Sequence, residues 1–229
     1  MNDKCTAIVL SAGKGKRMGG DTAKQYMLLK GRPVLYYCLK AFEDSFIDEI
    51  IIVASAGDFD FIKKDIVDKY GITKVVKMVE GGAERYDSVL CGLRAAGRCD
   101  YVFIHDGARP FVDREILNRA YETVKQYGTA IVSVPSKDTV KIVDGEGLTL
   151  ETPDRKSVWL MQTPQVFAYG PILEAYERMS ESESKSGITD DAMVMEEFGD
   201  MPVHVTQGSY RNIKITTPED MLIAEAFLT

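Results

Sequence analysis

Near the amino terminus four consecutive apolar residues, Ala7, Ile8, Val9 and Leu10, give way at once to small and basic ones. These are Ser11, Ala12, Gly13, Lys14, Gly15, Lys16, Arg17, Met18, Gly19 and Gly20, with Lys24 and Gln25 a few residues on. A short, unbroken apolar run is the pattern of a strand buried on both faces, as in parallel sheets covered by helices on each side. The turn after it is equally restrictive. Gly13 and Gly15 let the backbone turn tightly and bring its N–H groups close to a guest, and Lys14, Lys16, Arg17 and Lys24 make the turn positive. A polyphosphate suits such a turn, because several charges meet one backbone concavity.

The common nucleotide motifs fit badly. A Walker loop ends in Lys-Ser/Thr, which Gly13 to Gly20 does not. A dinucleotide fingerprint has its third glycine where Met18 stands, and the next strand (50–53) runs into Ala54, Ser55 and Ala56 with no carboxylate for a ribose. Both points disfavour an NAD-dependent reductase. A mobile basic loop on a non-catalytic nucleotide-binding protein is the remaining alternative of another class, and its weakness is the chain's overall acidity. The net charge is −7 and the pI is about 5.0, so no general nucleic-acid binder is expected and the basic residues near Gly13 read as a local site. No apolar run approaches the length of a membrane span. Residues 1–5 lead straight into a strand rather than forming a secretion signal. Cys5, Cys38, Cys91 and Cys99 form no paired metal motif and suit a reducing cytoplasm.

Along the chain, apolar strands alternate with amphipathic helices. A helix over 34–42 follows Pro33, a strand over 49–54 follows it, and a second helix over 59–70 closes at Gly71. A third strand spans 74–79. It runs into Gly81 and Gly82, with a helical pattern starting at Ser88 and ending at Gly97. A fourth strand (101–104), placed centrally, leads into His105, Asp106, Gly107, Ala108, Arg109, Pro110 and Phe111. Asp113 caps a helix over 114–127, and a fifth strand spans 130–135. This order predicts a mostly parallel sheet with helices on both faces, within a single α/β domain over 1–229. Residues 136–156 break the pattern. Alternating stretches at 137–143 and 148–152 flank Asp144-Gly145-Glu146-Gly147, which reads as a protruding β-hairpin arm with too little apolar surface to stand alone. A helix over 171–179, a polar and flexible loop over 181–187, a helix over 192–198, short strands at 203–205 and 212–215, and a last helix over 221–227 complete the expectation.

Ligands of open α/β sheets sit at the carboxyl ends of the strands, so the loops after residues 10, 79 and 104 should meet. A nucleobase packed on Gly81 and Gly82 suits that place. A carboxylate and an arginine three residues apart beyond a buried strand need partners. Asp106 can hold a divalent cation or a substrate hydroxyl, and Arg109 a phosphate or a carboxylate. His105 reads as a packing residue and His204 as exposed and inert. Asp190 and Asp191 read as helix-capping acids ahead of a metal pair. Lys214, between Ile213 and Ile215, points away from them towards the site or the surface. Arg17, Lys24, Arg109, Arg155 and Lys214 against one well-placed acid, Asp106, suit a reaction between phosphates. A nucleoside triphosphate would lie over the basic turn with Mg2+ on its phosphates. A second phosphate held near Asp106, Thr163 and Lys214 would attack the α-phosphorus, with catalysis by positioning and charge stabilisation.

Several stretches in this order resemble one family, that of 2-C-methyl-D-erythritol 4-phosphate cytidylyltransferase. They are 11–18 with Lys24-Gln25, 81–88, 105–111, 137–139, Asp154-Arg155 with Trp159, 162–165, 189–192, 212–214 and 217–220. The resemblance spans nearly the whole chain. The resemblance implies a Rossmann-like nucleotidyltransferase fold and transfer of CMP from CTP to 2-C-methyl-D-erythritol 4-phosphate, giving 4-diphosphocytidyl-2-C-methyl-D-erythritol and pyrophosphate. It implies catalytic roles for Arg17, Lys24, Arg155 and Lys214, with Arg17 and Lys24 stabilising the transition state. The implied nucleotide-binding set is Ser11, Ala12, Gly13, Lys14, Gly15, Gly81, Gly82, Arg85 and Ser88. Asp106 would lie near the ribose, the metal or the acceptor. The implied partner is a second copy, in a homodimer whose β-arms cross so that Thr139 and Arg155 reach the other subunit's site. There they would join Arg109, Thr163 and Lys214 around the acceptor. Ser11 departs from the proline or alanine of many members. A sister family acting on ribitol 5-phosphate shares most of these motifs, and the surroundings of Asp154, Arg155 and Trp159 fit the methylerythritol branch better.

Overall fold

The computed structural model describes residues 3–13, 23–182, 185 and 187–228. Its elements run β1 (Cys5–Leu10), a short pair β2 (Leu28–Leu29) and β3 (Arg32–Pro33), α1 (Val34–Glu43), β4 (Glu49–Ala54), α2 (Phe59–Phe61), β5 (Val75–Glu80), α3 (Arg85–Ala95), β6 (Tyr101–Asp106), α4 (Arg114–Tyr127), β7 (Thr129–Pro135), β8 (Ile142–Val143), β9 (Thr149–Glu151), β10 (Trp159–Ala168), α5 (Tyr169–Glu181), α6 (Asp191–Phe198), β11 (Val205–Gln207) and α7 (Pro218–Phe227).

Among the described residues one seven-stranded sheet runs in the order β11-β7-β10-β6-β1-β4-β5. Every neighbouring pair is parallel except the two that involve β10, which is antiparallel to β6 and to β7. β6 is therefore the central strand, as its unbroken apolar run predicts. The inner strands β1, β4, β6 and β7 are buried on both faces, whereas the edge strands β5 and β11 are partly exposed, and alternate residues of the inner strands serve different cores. Ala7, Val9, Ile50 and Ile52 pack with Leu35, Leu39, Phe42, Ile66 and Ile116 on one side. Ile8, Ile51 and Val53 pack with Val89, Leu93, Ile172, Tyr176 and Val194 on the other. This two-sided burial is why the strand sequences lack the polar alternation of a solvated sheet.

Local chemistry sets several ends. The Asp113 carboxylate accepts from the Ile116 N–H at 2.8 Å and opens α4, and Gly128 closes it at φ 77°. Thr217 and Asp220 form a reciprocal capping box with Pro218 in the first turn of α7. α7 then covers Leu29, Val34 and Ile215 through Ala224.

Four expectations change. α3 begins at Arg85 rather than Ser88, because Glu84 and Asp87 form a capping box one turn earlier. The second helix continues from Phe61 as a π-helical stretch over Ile62–Asp68. The strand expected at 203–205 lies at Val205–Gln207. Residues 212–215 join no strand ladder: Ile213 N–H bonds Arg211 O at 2.8 Å and Ile215 N–H bonds Ala108 O at 2.9 Å, while the Asn212 side chain bonds Thr163 O at 2.8 Å. The polar loop at 181–187 lies partly outside the described residues. The hairpin of the arm is present as β8 paired with β9, and Ile142, Val143, Leu148 and Leu150 on it are exposed.

Candidate active site

The carboxyl ends of β1 and β6 lie side by side, with Leu10 opposite Asp106. The chain leaves them in loops that frame two clefts. The first, of about 230 Å³, is lined by Ser11, Ala12, Gly13, Lys24, Gly82 and Ser88 among others. Lys14, Gly15 and Arg17 lie outside the described residues. The second, of about 220 Å³, is lined by Arg109, Met161, Gln162, Thr163, Gln165 and Asp190. Arg85, Asp106 and Lys214 line both, so the two spaces share a charged wall.

Tight approach explains the two glycines of the β5–α3 loop, of which Gly82 lines the first cleft and Gly81 stands behind it against Ala12. A Cβ on Gly81 would stand 2.7 Å from the Ala12 Cβ, and one on Gly82 2.3 Å from the Asp87 Cβ. Only glycine brings the β5–α3 loop this close to the turn after β1. The Ser88 hydroxyl serves that loop as well: it accepts from the Gly82 N–H at 3.1 Å and donates to Glu84 O at 3.1 Å.

Asp106 is the centre of charge. Its Oδ2 is 2.6 Å from Lys214 Nζ and its Oδ1 is 3.4 Å from Arg85 Nε. Burial alone would raise its pKa, but Arg85 and Lys214 outweigh it and hold the carboxyl well below the ordinary range. Its backbone N–H bonds the Thr163 hydroxyl at 3.1 Å, which also contacts His105 Nδ1 at 3.1 Å. His105 is fully buried, with Nε2 on Arg109 O at 3.1 Å, and burial pushes its pKa down to about 4. This is the neutral packing residue expected. Arg109 reaches Asn212 O at 2.8 Å and Met161 O at 3.5 Å. Its Nε is buried without a partner among the described residues, leaving a cation held by carbonyls rather than carboxylates. Burial lowers its pKa, Asp106 raises it and Arg85 lowers it.

Arg85 lines the first cleft, yet its fork is taken by a carboxylate. Nη1 and Nη2 meet Asp191 Oδ1 and Oδ2, each at 2.8 Å. Asp191 is fully buried and also accepts from the Tyr176 hydroxyl at 2.6 Å. Gln165 completes the latch: Oε1 accepts from the N–H groups of Asp191 and Ala192, both at 2.9 Å. Nε2 donates to Asp190 at 2.9 Å. Asp190 caps α6 as expected, accepting from Met193 N–H at 3.0 Å. Asp191, expected as a second capping acid, instead pairs with Arg85 across a long stretch of chain, and no local signal marks that pairing. Tyr176 and Gln165 join the network without any local signal either.

Thr139 and Arg155 do not line either cleft of this chain. Both are exposed, and Arg155 Nη1 donates to Lys137 O at 3.2 Å at the foot of the arm. As a metal ligand Asp106 fits poorly, because both its oxygens already face cations. Among the described residues no three His, Cys, Asp or Glu side chains cluster to hold an ion. Among them, too, no helix is long and apolar enough to cross a membrane.

Lys24, Arg85, Arg109 and Lys214 thus line two adjoining spaces that share one charged wall, surroundings of the kind that transfer between two phosphates requires. Comparison with known proteins agrees with it. Residues 5–229 match the family described as IspD, 2-C-methyl-D-erythritol 4-phosphate cytidylyltransferase. A relative of that name from Lachnoclostridium phytofermentans is 50% identical over 226 residues, covering 99% of this chain and 97% of its own length. One from Geobacter metallireducens is 48% identical over 227 residues, covering 97% and 96%. The crystal structure of 4-diphosphocytidyl-2C-methyl-D-erythritol synthase from Anaerococcus prevotii superposes with a TM-score of 0.87 at 37% identity, covering 99% of this chain and 96% of that one. With that match over nearly its whole length, and with the two clefts meeting at Asp106, the chain belongs to the 2-C-methyl-D-erythritol 4-phosphate cytidylyltransferase family.

Proposed function

We propose that the two adjoining clefts are where this enzyme carries out its family's reaction, transfer of CMP from CTP to 2-C-methyl-D-erythritol 4-phosphate. CTP occupies the first, with its phosphates over residues 11–17 and its cytidine against Gly81, Gly82 and Ser88. The acceptor occupies the second, with Arg109, Thr163 and Lys214 around it and Asp106 at the junction. An oxygen of the acceptor phosphate attacks the α-phosphorus in line, the bond to the β-phosphate breaks, and pyrophosphate leaves. The attacking oxygen is already anionic at neutral pH, so the reaction needs no general base. The protein's part is alignment and stabilisation of charge on the equatorial oxygens and the leaving group, for which Arg17 and Lys24 are the assigned cations. Mg2+ comes with CTP as the counter-ion of its phosphates, and no protein ligand is assigned to it.

The enzyme acts as a cytoplasmic homodimer in this reading. The arms cross, and Thr139 and Arg155 complete the acceptor site of the other subunit. Two observations favour it: Arg155 bonds Lys137 at the foot of the arm and lines neither cleft of its own chain, and the hairpin leaves Ile142, Val143, Leu148 and Leu150 exposed among the described residues. The observation that carries the functional reading is the shared wall of Arg85, Asp106 and Lys214 between the two clefts. Pyrophosphate release from CTP and Mg2+ should depend on methylerythritol phosphate. Release with ribitol 5-phosphate instead would transfer the assignment to the sister activity, and no CTP binding at all would overturn it.

A further inference from the structure

We infer that Gln25 is the positioning residue of the phosphate-binding turn, acting through the backbone of Ser11 and Gly13 rather than through any charge of its own. Gln25 is 3% exposed. Its Nε2 donates to Ser11 O at 2.7 Å and to Gly13 O at 3.1 Å, so both protons of one amide hold two carbonyls of the same turn. In a trans peptide the C=O and N–H point in opposite directions. Drawing the Ser11 carbonyl onto Gln25 therefore turns the Ala12 N–H away from it, and Ala12 and Gly13 line the nucleotide cleft. The other side of the turn is tied to β4, where Ser11 N–H bonds Val53 O at 2.6 Å.

The same single turn of 3₁₀ helix, Lys24–Tyr26, carries both Lys24 and Gln25. Fixing the amide therefore fixes the lysine relative to the backbone cradle. Tyr26 secures the far end through its hydroxyl, 3.0 Å from Asp58 Oδ2. Without the amide the turn must be ordered each time a triphosphate binds, which weakens affinity for that substrate alone. A carboxylate in its place would turn acceptor oxygens onto two carbonyls.

The inference rests on the first cleft being the CTP site, and the test separates the two. The wild type, Gln25→Met and Gln25→Glu are compared by calorimetry with CTP and Mg2+, by steady-state kinetics in both substrates and by thermal unfolding. Losing two hydrogen bonds of ordinary strength should raise the Kd and KM for CTP about tenfold in Gln25→Met, with a larger rise in Gln25→Glu and the KM for the acceptor nearly unchanged. Parallel rises in both KM values, or a lowered Tm with unchanged CTP affinity, would overturn the role of Gln25. If Gln25→Glu does not fold, Gln25→Met decides. Failure of the wild type to bind CTP would overturn the reading of the cleft instead.

Discussion

Replacing Asp191 by asparagine tests whether the buried network behind the site is held together by charge. Asp191 is fully buried and takes both ends of the Arg85 fork. Removing one partner of a buried ion pair commonly costs about 3–5 kcal/mol. Two features reduce that here. The Arg85 side chain is 28% exposed, so water receives part of the freed charge, and Asp106 remains 3.4 Å away as a second acid. About 2–3 kcal/mol is the expected loss. For a chain of 229 residues that corresponds to a Tm lowered by about 5–10 °C at neutral pH. Circular dichroism melts of Asp191→Asn, Arg85→Met and the double variant supply a thermodynamic cycle. Each single change leaves a charge behind and the double change leaves none, so the coupling should be about 1–3 kcal/mol. Additive losses, or an Asp191→Asn protein that melts with the wild type, would refute the reasoning.

Three further outcomes are expected. The His105 pKa of about 4 lies below its ordinary 6.5, so between those values the unfolded chain binds a proton that the folded chain does not. The stability this neutral histidine confers is whole above pH 6.5 and falls by about 3 kcal/mol as the pH drops to 4; His105→Asn should lose that component of the pH dependence in urea melts. Lys214→Met should lower kcat/KM for the acceptor on the order of 10²-fold and weaken CTP binding far less, although Lys214 lines both clefts; an equal loss in CTP affinity would remove Lys214 from the acceptor side. Arg155→Ala and Lys24→Ala subunits, inactive alone, should regain activity on mixing. Random exchange makes about a quarter of all sites native, and no recovery after verified exchange would sink the crossed-arm arrangement.

Much of this fold was legible because its signals are local. Asp113, Pro218, Gly71 and Gly128 mark element ends through their own side chains or their own φ, and the apolar runs of β1, β4 and β6 announce burial on both faces. Where two local signals competed, the stronger hydrogen bonds won. The apolar pattern of α3 begins at Ser88, but Glu84 and Asp87 bond each other's backbone and start the helix earlier. Residues 212–215 alternate like a strand, yet the backbone N–H groups of Asn212, Ile213 and Ile215 are taken by Ser209 O, Arg211 O and Ala108 O, so no ladder forms.

The chain's order of residues determined the kind of site: a glycine-rich basic turn after a buried strand, a lone acid beyond the central strand, and cations enough for two phosphates. Those are properties of neighbours in sequence, and sequence displays them. Partnership across distance was decided by tertiary structure alone. Arg85 and Asp191 are 106 residues apart, Asp106 and Thr163 are 57 apart, and β10 enters the sheet against the direction of all its companions. Each such choice depends on which buried charge or unpaired amide is left for another segment to satisfy. That balance exists only once the helices have closed over both faces of the sheet.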